Sequence, residues 1–550
     1  MKNLVLCLGA ALLAQAAPAQ GAPAISAQRM AHDIEILSSD AFQGRGTASA
    51  AEPKVIAYVT RQMAAAGLKP GGDRTKAGRA WTQAVPLARF QIDGAPKISV
   101  SAGGEVQALT QGEEIAVRAT QTGATHVRVK DAPVVFVGYG VKAPERHWDD
   151  FKGYDLKGKI ALVLVNDPDY ETGEGDFGGK AMTFYGRWTY KYEEAARQGA
   201  AGFIVIHERG PASYGWATVK NSNTGPVFDI VRPDPSKVHA PIEAWMTRDE
   251  TVALLKKAGL DFEALKAAAR TRDFKPVALN GVTFSADYDV AVKTVVSHNI
   301  AGLLPGARHP GERIIYTAHW DHLGVGQPDA RGDKIYNGAV DNGTGVAALL
   351  EMARAFHKAP RPDRSVLFLA VTAEEQGLLG SEYYAVKPVY PLATTVADLN
   401  MDALGVNGPA RDVTTSGQGG LTLQDDLVAA AKAHGLAFTP DPDPAAGHFY
   451  RSDHFSFAKR GVPAISFGSG EDLVNGGKAA GKAAHDAYVR DRYHQPADEY
   501  DPHWDLSGLA SDVSVLFDLG DRLANSREWP QWKAGSEFKA ERDKTQAQRK

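Results

Sequence analysis

The chain has 550 residues, of which 44% are hydrophobic and 23% charged, with a formal net charge of −4. At ~100–200 residues per domain, that length implies two or three domains with ordinary globular cores. The charge balance excludes the strongly basic chemistry that binds nucleic acid or anionic membrane surfaces.

The N-terminus carries an export pattern. Lys2 precedes an apolar run over residues 4–13, and Ala17-Pro18-Ala19 supplies a small-residue cleavage site. Residues 1–19 are expected to be a signal peptide, and the mature chain periplasmic or secreted. A spanning helix needs about 20 apolar residues, and no stretch is apolar for that long, so no membrane span is expected. The single cysteine, Cys7, lies inside this leader. Without it the chain has no thiol, which rules out disulfides, iron–sulfur clusters and cysteine nucleophiles; any metal must be held by His, Asp and Glu.

Residues 28–67 show apolar residues at helical spacing, broken at Gly44-Arg45-Gly46. Between about 95 and 240 the texture is β-rich, with runs at 134–137, 160–165 and 203–206 and a helix over 190–198. Residues 244–270 read as two short helices. Asp167, Asp169 and Glu171 read as a solvated acidic loop. From about 290 strands and helices alternate: strands at 313–318, 365–372, 396–400 and 463–467, helices at 345–357 and 424–434. This alternation predicts an α/β fold, a mixed central sheet with helices on both faces. The last twenty residues are charged and are expected to fray. The expected division is residues 20–100 and 286–525 for the α/β domain, 101–285 for a β-rich insert, and 526–550 for a charged tail.

Potential ligands follow the ends of the predicted strands. His319 and Asp321 follow one, Glu374 and Glu375 another, and Asp402 a third; Asp341 lies in a loop opening a helix, and His494 in a loop near the C-terminus. In open α/β sheets, sites form beyond the carboxyl ends of strands. Two imidazoles and at least three carboxylates suit a pair of Zn²⁺ ions, with one carboxylate shared between them.

Five segments carry a specific resemblance: Ala318-His319-Trp320-Asp321-His322-Leu323-Gly324, Gly338-Ala339-Val340-Asp341-Asn342-Gly343-Thr344-Gly345, Thr372-Ala373-Glu374-Glu375-Gln376-Gly377, Asn400-Met401-Asp402 and Tyr493-His494-Gln495-Pro496. In order and spacing they resemble the M28 metallopeptidases, over residues 28–90 and 285–525. The resemblance implies a zinc-exopeptidase fold with two Zn²⁺ per chain. Asp341 would bridge the ions, with His319 and Asp402 on one and Glu375 and His494 on the other. Asp321 would orient His319, and Glu374 would be the general base. Arg451-Ser452-Asp453-His454-Phe455 also resembles a family segment near the substrate pocket, which makes Asp453 and the preceding Tyr450 candidate substrate contacts. Tyr154-Asp155-Leu156-Lys157-Gly158-Lys159-Ile160 and residues 193–205 resemble a protease-associated (PA) domain, with a core of about 130–240.

The function implied is that of an exopeptidase acting on peptides, an aminopeptidase in preference to a carboxypeptidase or dipeptidase. A carboxypeptidase needs a cationic group for the terminal carboxylate, for which Arg411 and Arg451 are candidates. Two other classes share the scaffold: glutaminyl-cyclase-like transferases, which usually work with one zinc, and non-catalytic binding modules, which lack ligands or base. Oligomeric state is not legible.

Overall fold

The structure is a computed structural model that describes residues 23–417 and 420–549. The expected signal peptide, residues 1–19, lies outside the described residues.

At its centre the parallel strands His309–His319, Arg364–Val371, Thr395–Met401 and Ala464–Ser469 lie side by side. Antiparallel neighbours flank them, Val277–Leu304 on one edge and Asp412–Thr415 on the other, so the sheet is mixed. Arg364–Val371 is buried along its whole length, as expected of a strand covered on both faces. Successive side chains of a strand point to opposite faces. The Tyr316 ring therefore packs on Phe356, while the next residue, Thr317, donates to Asp398 and Asn400, and Asn400 in turn donates to Ser452. The helices Gly345–Lys358 and Ser507–Asn525 cover the first face, with Ala27–Leu37 and Glu52–Ala65 packed against Gly345–Lys358. The short helix His454–Ala458 packs against Thr395–Met401 and Ala464–Ser469.

The expected β-rich insert is a second α/β unit with its own apolar core. His126–Phe136, Ile160–Leu164, Gly202–His207 and Ile242–Thr247 pair in parallel, and Ile115–Val117 closes the edge antiparallel.

Two long strands tie the units together. Thr82–Ala102 and Val277–Leu304 pair antiparallel from Val282↔Ala102 to Ile300↔Thr82. Val277–Leu304 pairs with His126–Phe136 at one end and with Arg364–Val371 at the other, so both units join one 16-stranded sheet. The divisions drawn at 100 and 285 fall inside these strands. Their sequences gave little strand signal because much of their length is half-exposed and polar, with Gly94 and Asn280-Gly281 interrupting the apolar alternation.

Two further expectations are corrected. The C-terminal segment does not fray: Trp532 is buried and its indole N–H donates to the Gly461 carbonyl at 3.0 Å, while Arg542, 2% exposed, donates to the Thr395 carbonyl at 2.9 Å. Aromatic anchors within the charged run do this, Phe538 packing on Trp532 and Phe449. The acidic loop is solvated only at Glu171. Asp167 and Asp169 are buried, and their carboxylates accept hydrogen bonds from the backbone of Thr183, Phe177 and Gly179. Among the described residues no helix is long and apolar enough to cross a membrane.

Candidate metal centre

The carboxyl ends of the parallel strands open on one side, and the ligand candidates gather there. His319 ends its strand, Asp402 follows Met401, and Glu374 and Glu375 follow Val371 at the turn beyond. Asp341 sits in the loop that feeds the helix Gly345–Lys358, and His494 lies just past the helix Gly477–Asp491. Backbone strain concentrates here: Ala373, Ala403 and His494 itself have left-handed φ. Such conformations cost ~1 kcal/mol or more each and persist where the surroundings dictate them.

The two oxygens of Asp341 face different partners. Oδ1 lies 3.3 Å from Nε2 of His319, which is 3.1 Å from Oδ1 of Asp402. Oδ2 lies 3.3 Å from Nε2 of His494, which is 3.1 Å from Oε2 of Glu375. Ligands held at ~2.0–2.1 Å by a tetrahedral zinc stand about 3.3 Å from one another. These contacts match that spacing, and the donors that gather within reach of a single ion are His319 with Asp341 and Glu375, and His319 with Glu374 and Asp402. Burial alone would lower the His319 imidazole, yet Asp402, Glu374 and Asp341 raise it well above its ordinary range, so the cluster favours positive charge. Oε2 of Glu374 is 3.9 Å from Nε2 of His319, close to the donors but outside their short contacts. Burial pushes its carboxyl well above the usual range, and Asp402 and Glu375 add to this while His319 opposes it.

A second ring of side chains aims the donors. Nδ1 of His319 donates to the main-chain carbonyl of Asp321 at 3.1 Å, whereas the Asp321 carboxylate stands 3.9 Å away. That carboxylate, pushed up to about 7 by burial, instead accepts from the Glu374 amide at 3.2 Å and the Thr47 hydroxyl at 3.1 Å. Asp321 thus positions Glu374 directly and His319 through its backbone, because the tight turn brings the carbonyl closer than the side chain.

Several residues in this ring were not singled out from sequence. His322 Nδ1 donates to Glu375 at 2.5 Å, and Ser452 donates to Asp402 at 2.7 Å. Asp498 accepts from the amides of Val340 and Asp341. Arg45, fully buried, donates to the carbonyls of Leu37, Trp320, Asn337 and Gly338, clamping the two ligand loops together. His322, Ser452 and Asp498 lie within a few residues of recognised motifs, which was a usable signal. Nothing local marks Arg45.

A cavity of about 230 Å³ opens beside the centre, lined by Glu374, His494, Tyr493 and Arg451 from one unit and by Arg187 and Tyr214 from the insert. Tyr450 is on its wall, its ring packed against Phe184 and Phe455. Asp453, expected at the substrate, is wholly buried and raised to about 7 by that burial. The turn into His454–Ala458 points it inward, so it backs the centre and does not face the cavity.

A mixed sheet with histidines and carboxylates converging at its carboxyl edge defines an α/β domain built around a cation centre. Residues 299–517 match the model of peptidase family M28, and residues 124–239 match the PA domain. The chain thus contains a region similar to peptidase family M28 and a PA domain. A probable zinc metalloprotease of Pyrenophora tritici-repentis is 32% identical over 134 residues, 24% of this chain and 30% of that protein. Aminopeptidase YwaD of Bacillus subtilis is 30% identical over 181 residues, 31% of this chain and 35% of that protein. The chain thus matches about a third of the length of these curated relatives. The solved aminopeptidase from Aneurinibacillus sp. strain AM-1 shares the fold, with a TM-score of 0.51 over 92% of this chain and 95% of that one, at 21% identity.

Proposed function

We propose that this chain is a two-zinc exopeptidase that removes the N-terminal residue of peptides, acting after export to the periplasm or beyond. The observation that carries the reading is the division of Asp341, each oxygen paired with its own histidine and carboxylate. One zinc would be held by His319, Asp402 and Asp341, the other by His494, Glu375 and Asp341. Bound zinc supplies Lewis-acid polarisation of the scissile carbonyl and acidifies water. Glu374 takes the proton from the attacking water and delivers it to the leaving amine, a role suited to a buried carboxylate whose affinity for protons is raised. The Asp321 carboxylate holds the Glu374 backbone in place for that transfer.

The aminopeptidase relatives support removal of the N-terminal residue. The test is a panel of aminoacyl anilides and of free and N-acetylated dipeptides, assayed with zinc and after chelation, with zinc counted by elemental analysis. The expected result is hydrolysis of free-amine substrates only, lost on chelation and restored by zinc, with two ions per chain. Equal cleavage of N-acetylated peptides, or activity indifferent to chelation, would overturn it. Conversion of glutaminyl peptides to pyroglutamate without hydrolysis would assign the transferase class instead.

A further inference from the structure

A second cavity, of about 870 Å³, adjoins the one beside the metal centre. Three stretches distant in sequence supply most of its wall: residues 142–197 of the PA domain, the loop 441–450 and the C-terminal run 532–538. That last run lies beyond both matched regions. The Met182 amide donates to the Pro444 carbonyl at 2.9 Å and the Asn166 side chain to the Ala445 carbonyl at 3.0 Å, which fastens the PA domain to the loop. Phe184, Glu193 and Tyr450 line both cavities, the two rings 6.0 Å apart. A single layer of side chains therefore separates the second cavity from the first, and the residue after Tyr450, Arg451, already borders the first.

The wall of the second cavity is aromatic and acidic. The Tyr185 and Tyr190 rings lie 5.0 Å apart, and Phe449 stacks on Phe538 at 5.8 Å; aromatic faces attract cations. Five carboxylates stand on this wall against three cations. Arg197 is taken by Glu194 at 2.6 Å and Glu193 at 3.3 Å, and Arg146 lies 3.5 Å from Glu145. Glu537 makes no hydrogen bond or ion pair among the described residues. The hydrogen-bond partners of the Asp441 carboxylate among those residues are the amides of Gly417 and Asp443. Burial, aided by the charge of Arg451, lowers His448 well below its ordinary range, so its imidazole adds no positive charge. Positive charge is what this cavity lacks.

We propose that the second cavity receives the downstream part of a peptide whose N-terminus lies at the metal centre, and that it selects basic side chains there. The occupant is the substrate's own tail because the wall shared by Phe184, Glu193 and Tyr450 sets this cavity directly beside the reacting end. An extended chain covers ~3.3–3.6 Å per residue, so it passes a wall one side chain thick within a few residues of the scissile bond. Lysine and arginine side chains suit the lining, with a charged head for the carboxylates and contact with the ring faces. The inference rests on the exopeptidase reading, and it gives the C-terminal run a part in specificity.

The zinc-loaded full chain is assayed on Leu-Gly-Lys-Lys-Lys amide against Leu-Gly-Gln-Gln-Gln amide. The expected result is a preference of about tenfold or more in kcat/KM for the lysine peptide, the size expected of two or three charge and cation–π contacts. Glu537→Lys and Glu193→Gln are each expected to reduce that ratio by about threefold or more, and the double variant to bring it near one, while Glu537→Asp keeps it. The ratio is internal to each preparation, so a loss of folded protein does not imitate the effect. A ratio near one in the wild type, or a wild-type ratio in the double variant, overturns the proposal. The Glu374→Gln protein is titrated calorimetrically with the same two peptides, and the same preference is expected in Kd. If the wild type hydrolyses neither peptide, the exopeptidase reading fails by itself. The calorimetric ratio then still decides the second cavity, and equal Kd values overturn its proposed role.

Discussion

The Ser222 hydroxyl of the PA domain lies 2.8 Å from Nδ1 of His494, a donor of the candidate metal centre in the other unit. The neighbouring Asn221 donates to the His494 carbonyl at 3.0 Å. With Nε2 turned to the donor cluster, Nδ1 carries the proton and donates it to Ser222, which fixes tautomer and ring plane together. The insert therefore holds a ligand of the centre as well as forming one wall of its cavity. Ser222→Ala is expected to weaken zinc binding at the His494 half by ~10–100-fold, with Ser222→Thr close to wild type. Competition against a chromogenic chelator measures this, and an unchanged affinity would show that the contact has no hold on the ligand.

Glu374 stands apart from the short donor contacts, so its two roles are separable. Glu374→Gln is expected to retain both zinc ions and to lose ~10²–10⁴-fold in kcat, the usual contribution of a general base. Elemental analysis and steady-state kinetics on one preparation check it. Wild-type turnover in the variant would remove Glu374 as the base.

His239 is held between Asp229 at 3.2 Å and Glu243 at 3.0 Å. Burial alone would lower the imidazole, but the two carboxylates outweigh it and raise it to about 9. The unfolded value is ~6.5, so the folded chain binds this proton more tightly. The resulting stability is fully present below about pH 6.5 and is lost as pH rises through about 9, an effect of at most ~3 kcal/mol. Urea unfolding at pH 6.5 and pH 9 should show a larger drop in wild type than in His239→Gln. Equal drops would mean that the pair is not linked to folding.

The C-terminal segment covers the Phe449 and Phe455 rings with Phe538 and seals Gly461 with Trp532. Burial of one large apolar side chain contributes ~1.5–3 kcal/mol. Truncation after residue 527 is therefore expected to cost at least ~3 kcal/mol, read as a lower urea midpoint and increased dye binding to exposed apolar surface. An unaltered midpoint would return the segment to the status of a frayed tail.

What the sequence determined by itself was whatever sits within a few residues of its own signal. The central strands were legible because both their faces are buried and their runs are mainly apolar. His319, Glu374, Glu375 and Asp402 were legible because each follows the end of such a strand, whereas Asp341 and His494 lie in loops beside helices and were legible through the motifs around them. The long strands Thr82–Ala102 and Val277–Leu304 were hidden because their half-exposed faces dilute the apolar alternation. Tertiary structure alone decided which side chains steady and surround the centre. Ser222 meets His494 from 272 residues away, and Arg45 reaches Gly338 across 293. Hydrogen bonds and electrostatic fields act through space, and no local pattern announces a partner that only the folded sheet brings within 3 Å.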